Sequence, residues 1–133
     1  MKVADIMKTD LKTIAPDSSV ADLVSLQAEE HISGVPVVDQ HGRLIGVAST
    51  SDVLQAVADA ASPEERESVF ENTMVRDIMT PRPLTLTPEA TVIDAARQML
   101  YLEVHRLFVE ADGELAGVIS QTDIVGAVAA ARI

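Results

Sequence analysis

Val3-Ala-Asp-Ile-Met7 recurs 72 positions later as Val75-Arg-Asp-Ile-Met79, and this repetition decides the fold. The offset holds along the copy and shortens to 71 at one turn, where an insertion or deletion is tolerated. The later matches are Gly42 with Gly113, Gly46 with Gly117, Ser49 with Ser120 and Asp52 with Asp123. An internal duplication of this kind predicts two copies of one structural unit, closed into a pair with pseudo-twofold symmetry.

Each copy has the predicted element order β-α-β-β-α. A short extended piece precedes a proline, and Ser19 or Thr91 then has the residue type of a helix N-cap. Two strands joined by a glycine turn follow. The strands are expected at 35–38 and 44–48 in the first copy and at 107–109 and 115–119 in the second, and the closing helices at 53–61 and 124–132. The apolar face expected to be buried comprises Val20, Leu23, Val24 and Ala28 in one copy, and Val92, Ala95, Ala96, Met99 and Leu100 in the other.

The predicted organisation is a first copy at 1–61, a linker helix at 62–72 and a second copy at 73–133. The linker helix is indicated by Ser62 as N-cap, with Pro63 at the first helical position and Glu65 three residues after Ser62. A single copy of about 57 residues is near the size at which one core becomes marginal. The sequence therefore predicts one α+β module whose two sheets pack against each other.

Composition excludes several classes of function. The chain of 133 residues carries a net charge of −11, which disfavours nucleic acid and anionic membranes as partners. It has no cysteine, so disulfides, zinc–thiolate sites and thiol nucleophiles are absent. No secretory signal and no membrane-spanning apolar run is evident, so we expect a soluble, cytoplasmic protein.

With these motifs in view, the sequence resembles the cystathionine-β-synthase (CBS) domain family, as a tandem pair without an attached catalytic domain. The resemblance rests on Gly34-Val-Pro-Val-Val-Asp39, His105-Arg-Leu-Phe-Val109, Gly46-Val-Ala-Ser-Thr-Ser-Asp52 and Gly117-Val-Ile-Ser-Gln-Thr-Asp123, together with the two Asp-Ile-Met motifs. It spans nearly the whole chain. It implies a regulatory module that binds adenine nucleotides and dimerises into a flat disc.

The resemblance also implies site residues. A carboxylate at a strand-to-helix turn can accept both hydroxyls of a ribose, and a helix start can hold phosphate. By resemblance, ribose and phosphate contacts fall to Ser49, Ser51, Asp52, Ser120, Thr122 and Asp123. The adenine slot would be lined by Thr13, Ile14, Val35 and Pro36, and by Thr85, Leu86, Leu107 and Phe108. The alternative is that the polar residues only cap helices and that the apolar ones, Val35 and Leu107 above all, only pack in the core.

His105 and Arg106 are candidate phosphate ligands, because guanidinium and imidazolium groups bind anionic oxygens. The first copy has uncharged Ser33 and Gly34 at these positions, which predicts one dominant site per chain. The alternative is an exposed pair in which Arg106 bonds to Glu103 or Glu110.

These features predict a non-catalytic sensor of an adenosine-containing ligand in the cleft between the copies, modulating a partner protein that the sequence does not name. AMP, ADP or ATP are favoured over S-adenosylmethionine or NAD, magnesium could accompany the phosphates, and no cofactor or transition-metal site is expected. No catalytic triad, P-loop or dinucleotide fingerprint is found. The alternative function is a structural dimerisation module without a ligand, since Ala- and Val-rich closing helices favour contact between two copies of the chain.

Overall fold

The computed structural model describes residues 1–130, so Ala131 and Arg132 of the predicted last helix lie outside the described residues. The helices are α1 (Val20–Glu30), α2 (Thr50–Ala58), α3 (Pro63–Asn72), α4 (Val75–Ile78), α5 (Val92–Leu102) and α6 (Gln121–Ala129), and a 3-10 turn spans Val3–Asp5. The strands are β1 (Gly34–Val38), β2 (Leu44–Ser49), β3 (Thr80–Pro81), β4 (Thr85–Leu86), β5 (Arg106–Ala111) and β6 (Glu114–Ser120). The α+β class is therefore confirmed.

The chain divides into two compact units. One is formed by the continuous segment Lys12–Pro83 and is called the contiguous unit below. The other combines Met1–Leu11 with Leu84–Ile133 and is called the split unit. In the part of the chain that the structure describes, no helix is both long enough and apolar enough to cross a bilayer.

The contiguous unit is built on the antiparallel sheet β1-β2-β3. Ile14 extends this sheet by a parallel bridge to Val37, although the predicted extended piece around it is too short to form a strand. Helix α1 begins where predicted, because the Ser19 hydroxyl accepts from the Asp22 N–H at 3.1 Å. The core comprises Ile14, Leu23, Val35, Val37, Ala48 and Val75.

The split unit repeats this arrangement in the sheet β4-β5-β6, with β4 parallel to β5. Thr91 caps α5 as predicted, accepting from the Asp94 N–H at 3.0 Å. Residue Lys8 pairs through its backbone with Val118 on the free edge of β6. The core comprises Val3, Leu86, Val92, Ala95, Met99, Leu107, Val109, Ile119 and Ile124.

The Asp-Ile-Met segment of each copy packs in the unit that holds the other copy's hairpin. Val75 is fully buried in the contiguous unit, and Val3 is fully buried in the split unit. The exchange brings each methionine against a glycine of the other copy, since a Cβ on Gly46 would lie 2.6 Å from the Met79 sulfur and one on Gly117 would lie 2.8 Å from the Met7 sulfur. The repeats at 1–61 and 73–133 therefore do not coincide with the compact units.

Several expected details are wrong. The closing helices begin at Thr50 and Gln121, three residues before the predicted starts, and α2 ends at Ala58 instead of at residue 61. Leu100 was expected in the core but is 76% exposed, and Ala28 is exposed as well. Both lie at the margin of an apolar stripe, where helical periodicity alone does not tell a buried position from an exposed one.

The linker helix is α3, with Ser62 as N-cap and Pro63 in its first turn. The Ser62 hydroxyl accepts from the Glu65 N–H at 3.2 Å, while the Glu65 carboxylate accepts from the Ala61 N–H at 2.7 Å. The predicted reciprocal cap is thus present with a shift of one residue on its acidic side.

Candidate functional site

The predicted ribose carboxylates, Asp52 and Asp123, are both built into helix caps. The Ser49 hydroxyl accepts from the Asp52 N–H at 3.2 Å, and Asp52 Oδ2 accepts from the Ser49 N–H at 2.9 Å. The Ser120–Asp123 pair makes the same two bonds at 3.1 and 2.9 Å. The capping alternative is therefore observed in both units, and it occupies only one oxygen of each carboxylate with backbone bonds.

The second oxygen of each carboxylate meets a different partner in the two units. Asp52 Oδ1 accepts from the Thr80 hydroxyl at 3.4 Å. Asp123 Oδ1 lies 3.7 Å from the Lys8 ammonium, whose side chain is 71% exposed while that of Asp123 is 11% exposed. Thr80 and Lys8 are equivalent residues of the two copies, each directly after the Met of its Asp-Ile-Met motif. Sequence analysis did not single out either residue, although their position in the repeat could have shown the equivalence.

Strand register places five residues of each unit on one face of the sheet. In the split unit, Arg106 is opposite Ser120, Phe108 is opposite Val118, and Val118 is bridged to Lys8. Residues opposite each other share a face, and so do alternate residues of one strand. We call this set, Lys8, Arg106, Phe108, Val118 and Ser120, the Arg106 face.

The contiguous unit has an equivalent set. Gly34 is opposite Ser49, Pro36 is opposite Val47, and Val47 is opposite Thr80. These five residues form what we call the Gly34 face. Every member of the Gly34 face is uncharged, whereas the Arg106 face carries two cations, Lys8 and Arg106, on opposite sides of β6.

His105 and Arg106 are exposed at the start of β5. The His105 carbonyl accepts from the Gln121 N–H at 2.9 Å, which holds the basic pair beside the first turn of α6. Neither Glu103 nor Glu110 forms an ion pair with Arg106 in the described residues 1–130, and Glu110 accepts instead from the Thr85 hydroxyl at 2.9 Å. Arg106 therefore presents its guanidinium to solvent within reach of the α6 cap.

Ser51 and Thr122 lie exposed in the first turns of α2 and α6, two residues after the capping serines. Their hydroxyls have no role in the caps, which leaves them accessible to solvent at the same end of each sheet as Ser49 and Ser120.

Most residues of the predicted adenine slot have buried side chains. Val35 is fully buried, and Ile14, Leu86, Leu107 and Phe108 are each at most 8% exposed. Pro36 is also buried, Thr85 is partly buried and Thr13 is exposed. The Ile14 N–H and carbonyl are both bonded, to the Pro36 carbonyl and the Val38 N–H. Core packing therefore accounts for Val35 and Leu107, as the alternative reading expected.

Two open cavities are each bounded by two residues of the predicted adenine slot together with residues outside the predicted site. One of about 500 Å³ in the contiguous unit is bounded by Thr13, Ile14, Asp17, Asp39, His41 and Arg76, among others. The Arg43 and His41 N–H groups donate to Asp39 and hold the pKa of that carboxyl below its usual value. The Asp39 carboxylate therefore stabilises the turn between β1 and β2. Another of about 580 Å³ in the split unit is bounded by Thr85, Leu86, Asp94, Arg97 and Tyr101, among others.

Residues 1–130 contain no cluster of three or more His, Asp or Glu side chains that could hold a metal ion.

Comparison with known proteins gives two matches to one family model, described as the CBS domain, at residues 3–59 and 75–130. The CBS domain-containing protein CBSX1 of Arabidopsis thaliana is 29% identical over 90% of the chain, and the chain spans about 60% of the length of that relative. A crystal structure of CBSX2, a protein of the same plant, in complex with AMP has a TM-score of 0.82 and 31% identity, covering 99% of this chain and 98% of the other. The structure of AcuB from Vibrio cholerae has a TM-score of 0.85 and 26% identity, covering 98% and 92%.

Proposed function

Because the chain belongs to the CBS domain family, we propose that it is a non-catalytic regulatory module that binds an adenosine-containing ligand and alters a partner protein. AMP, ADP or ATP is the proposed ligand class. The observation that carries the proposal is the paired arrangement of Ser49–Asp52 and Ser120–Asp123, each with one carboxylate oxygen left over from its helix cap. The AMP complex of CBSX2, a protein 31% identical over almost the whole chain, supports it.

The proposed roles follow the chemistry of each group. Asp52 and Asp123 accept ribose hydroxyls through Oδ1, exchanging Thr80 or Lys8 for the ligand. The hydroxyls of Ser51, Ser120 and Thr122 donate to ribose or phosphate, and His105 and Arg106 bind phosphate oxygens. The Ser49 hydroxyl donates to Asp52 Oδ2 at 2.9 Å and turns to the ligand by giving up that bond. The adenine ring lies along the slot residues, contacting Thr13 and Thr85 and the partly accessible edges of Ile14, Leu86 and Phe108. Val35, Pro36 and Leu107 support the slot from the core.

Regulation requires that the ligand bind two states of the module unequally. The bond exchange at Asp52 and Asp123 is suited to this, because Thr80 and Lys8 belong to segments that connect one repeat to the unit of the other. A ligand that replaces these bonds removes one side-chain contact that holds the segment containing Thr80 or Lys8 to its unit. We propose that this change is what the partner protein reads.

The experiment that tests the proposal is a thermal-shift panel with AMP, ADP, ATP, S-adenosylmethionine and NAD, with and without magnesium. A ligand at a hundredfold excess over its Kd stabilises the native state by about 2.7 kcal/mol, which raises Tm by several degrees. The shift should be clearly reduced in Asp123→Ala and kept in Asp22→Ala, which removes a carboxylate from the equivalent position of α1. No shift with any adenosine compound would overturn the proposal and favour the ligand-free dimerisation module.

We also propose that the chain forms a homodimer. Four apolar side chains on α5 and α6 are largely exposed: Leu100 at 76%, Tyr101 at 86%, Val125 at 66% and Val128 at 56%. A second copy of the chain would bury them on a self-complementary surface. Light scattering should give the mass of a dimer, and Leu100→Glu should shift it toward the monomer, whereas Leu84→Glu, at a 65% exposed site off these helices, should not.

A further inference from the structure

Lys8 distinguishes the two candidate sites in a way that the Asp-Ile-Met motif itself does not reveal. The residue comes from the first copy but lies on the Arg106 face of the split unit, which carries the second copy's hairpin. Its counterpart on the Gly34 face is Thr80, from the second copy. The exchange of segments therefore adds a second cation, Lys8, to the face that already holds Arg106.

The geometry points Lys8 at the same carboxylate that the proposed function assigns to ribose. Its ammonium lies 3.7 Å from Asp123 Oδ1, and its side chain is 71% exposed. An exposed ion pair of this kind contributes little to stability and is easily exchanged. Lys8 and Arg106 lie on opposite sides of β6 but on the same face, with Lys8 opposite Val118 and Arg106 opposite Ser120.

This arrangement has opposite consequences for neutral and anionic ligands. A neutral nucleoside that hydrogen-bonds to Asp123 Oδ1 breaks the ion pair with Lys8 and offers no anionic group to replace it. A ligand with a phosphate supplies a new anionic partner at the moment the old one is lost. On the Gly34 face, a nucleoside displaces only a neutral Thr80 hydroxyl, and none of the five residues of that face carries a positive charge that could pair with a phosphate.

We propose that Lys8 is a specificity-determining residue that makes the Arg106 face a site for a phosphorylated adenosine ligand, while the Gly34 face is a site for an adenosine group without a phosphate requirement. This inference rests on the proposed function and deepens it, because it assigns different ligand classes to the two sites. Each chain thus reads the phosphorylation state of the ligand at one site only.

The test uses AMP and adenosine as probes for calorimetry on the full chain. Wild type should bind AMP at least about tenfold more tightly than adenosine, the size expected for hydrogen bonds to a charged group. Lys8→Thr, which installs the residue of the other copy, should weaken AMP binding about tenfold and leave adenosine binding within about twofold. The substitution should fold normally, because the β6 pairing of residue 8 uses only its backbone and threonine is compatible with extended structure.

Two further variants sharpen the result. Lys2→Thr makes the same change of charge in the same N-terminal segment but away from Asp123, and it should bind AMP as the wild type does. Thr80→Lys should raise the affinity of the Gly34 face for AMP relative to adenosine. The dependence of AMP affinity on salt should fall in Lys8→Thr and rise in Thr80→Lys, since each changes the number of cations that meet the phosphate.

The possible outcomes distinguish a failure of the role of Lys8 from a failure of the proposed function. Equal AMP affinity in Lys8→Thr and Lys2→Thr would overturn the role of Lys8 while leaving the proposed function intact. Parallel losses of AMP and adenosine in Lys8→Thr would also overturn it, because they would show that Lys8 shapes the site and does not select phosphate. A wild-type chain that binds neither probe would overturn the inference together with the proposed function.

Discussion

At the scale of single residues, Gly117 is the position where a side chain is least tolerated. A Cβ there would lie 2.8 Å from the Lys8 carbonyl oxygen, and that carbonyl is fixed by accepting from the Val118 N–H at 2.9 Å. We expect Gly117→Ala to lower the free energy of unfolding by about 1–3 kcal/mol, as overpacking does. Urea denaturation measures this directly.

Two other glycines serve as controls for Gly117→Ala. Gly46→Ala should cost less, because the nearest atom to its Cβ is the sulfur of a flexible methionine and the nearest carbonyl oxygen is 3.0 Å away. Gly126→Ala should stabilise α6 by up to about 1 kcal/mol, since nothing lies within 4 Å of a Cβ there and alanine favours a helix. Equal effects at all three positions would contradict the packing argument.

The residue scale also shows what the sequence can and cannot predict about the site. Ser49, Asp52, Ser120 and Asp123 were identifiable as caps from their spacing, while their proposed ligand roles come from the family resemblance. Lys8 was not, because its importance comes from a contact between positions 115 residues apart in the chain. Sequence spacing predicts contacts along one helix or hairpin, whereas that contact depends on which unit the N-terminal segment joins.

At the scale of secondary-structure elements, α1 and α5 end in the same way. The residues after them, His31 and Glu103, adopt left-handed backbone conformations with φ of 55° and 56°. A Cβ is unfavourable in that conformation, and glycine is the usual residue there. We expect Glu103→Gly to raise the free energy of unfolding by about 0.5–1 kcal/mol, the strain removed exceeding the entropy that glycine adds to the unfolded chain. Thermal and urea unfolding would both register it.

Glu103→Ala is the matched control for this helix end. Alanine removes the same charge but keeps the Cβ, so it should give no gain. A gain with alanine as large as with glycine would attribute the effect to charge and contradict the conformational explanation.

Elements of ten or so residues were predicted well, and of the elements of two to four residues only β4 was, from the extended piece expected before Pro88. The starts of helices α1, α3 and α5 could be predicted because the N-cap residues Ser19, Ser62 and Thr91 directly precede residues typical of a helix. The starts of α2 and α6 were placed too late, because several consecutive residues are good N-caps and only the observed Ser49 and Ser120 bonds choose among them. Strand β3 and the 3-10 turn carry no local signal, since they are held by distant partners such as Val47 and Ala90.

At the scale of the whole molecule, the duplication predicts two equivalent sheets but not which segments complete them. Continuity along the chain favours assigning each Asp-Ile-Met segment to its own copy, as the boundaries 1–61 and 73–133 do. The structure instead buries Val75 in the contiguous unit and Val3 in the split unit. Both assignments satisfy the same apolar pattern and the same glycine–methionine contacts, because the copies are alike in both, so the pattern of one copy does not choose between them.

This exchange predicts which half of the chain can fold by itself. A fragment of residues 12–83 contains the whole contiguous unit, including Val75 and β3. A fragment of residues 1–72 has the same length but lacks both, and it carries an N-terminal segment whose partners are missing. We expect the first fragment to unfold cooperatively in urea, followed by circular dichroism, and the second to lose its signal gradually. Cooperative unfolding of both would contradict the exchange, because it would mean that a copy completes its own core without the segment that follows it.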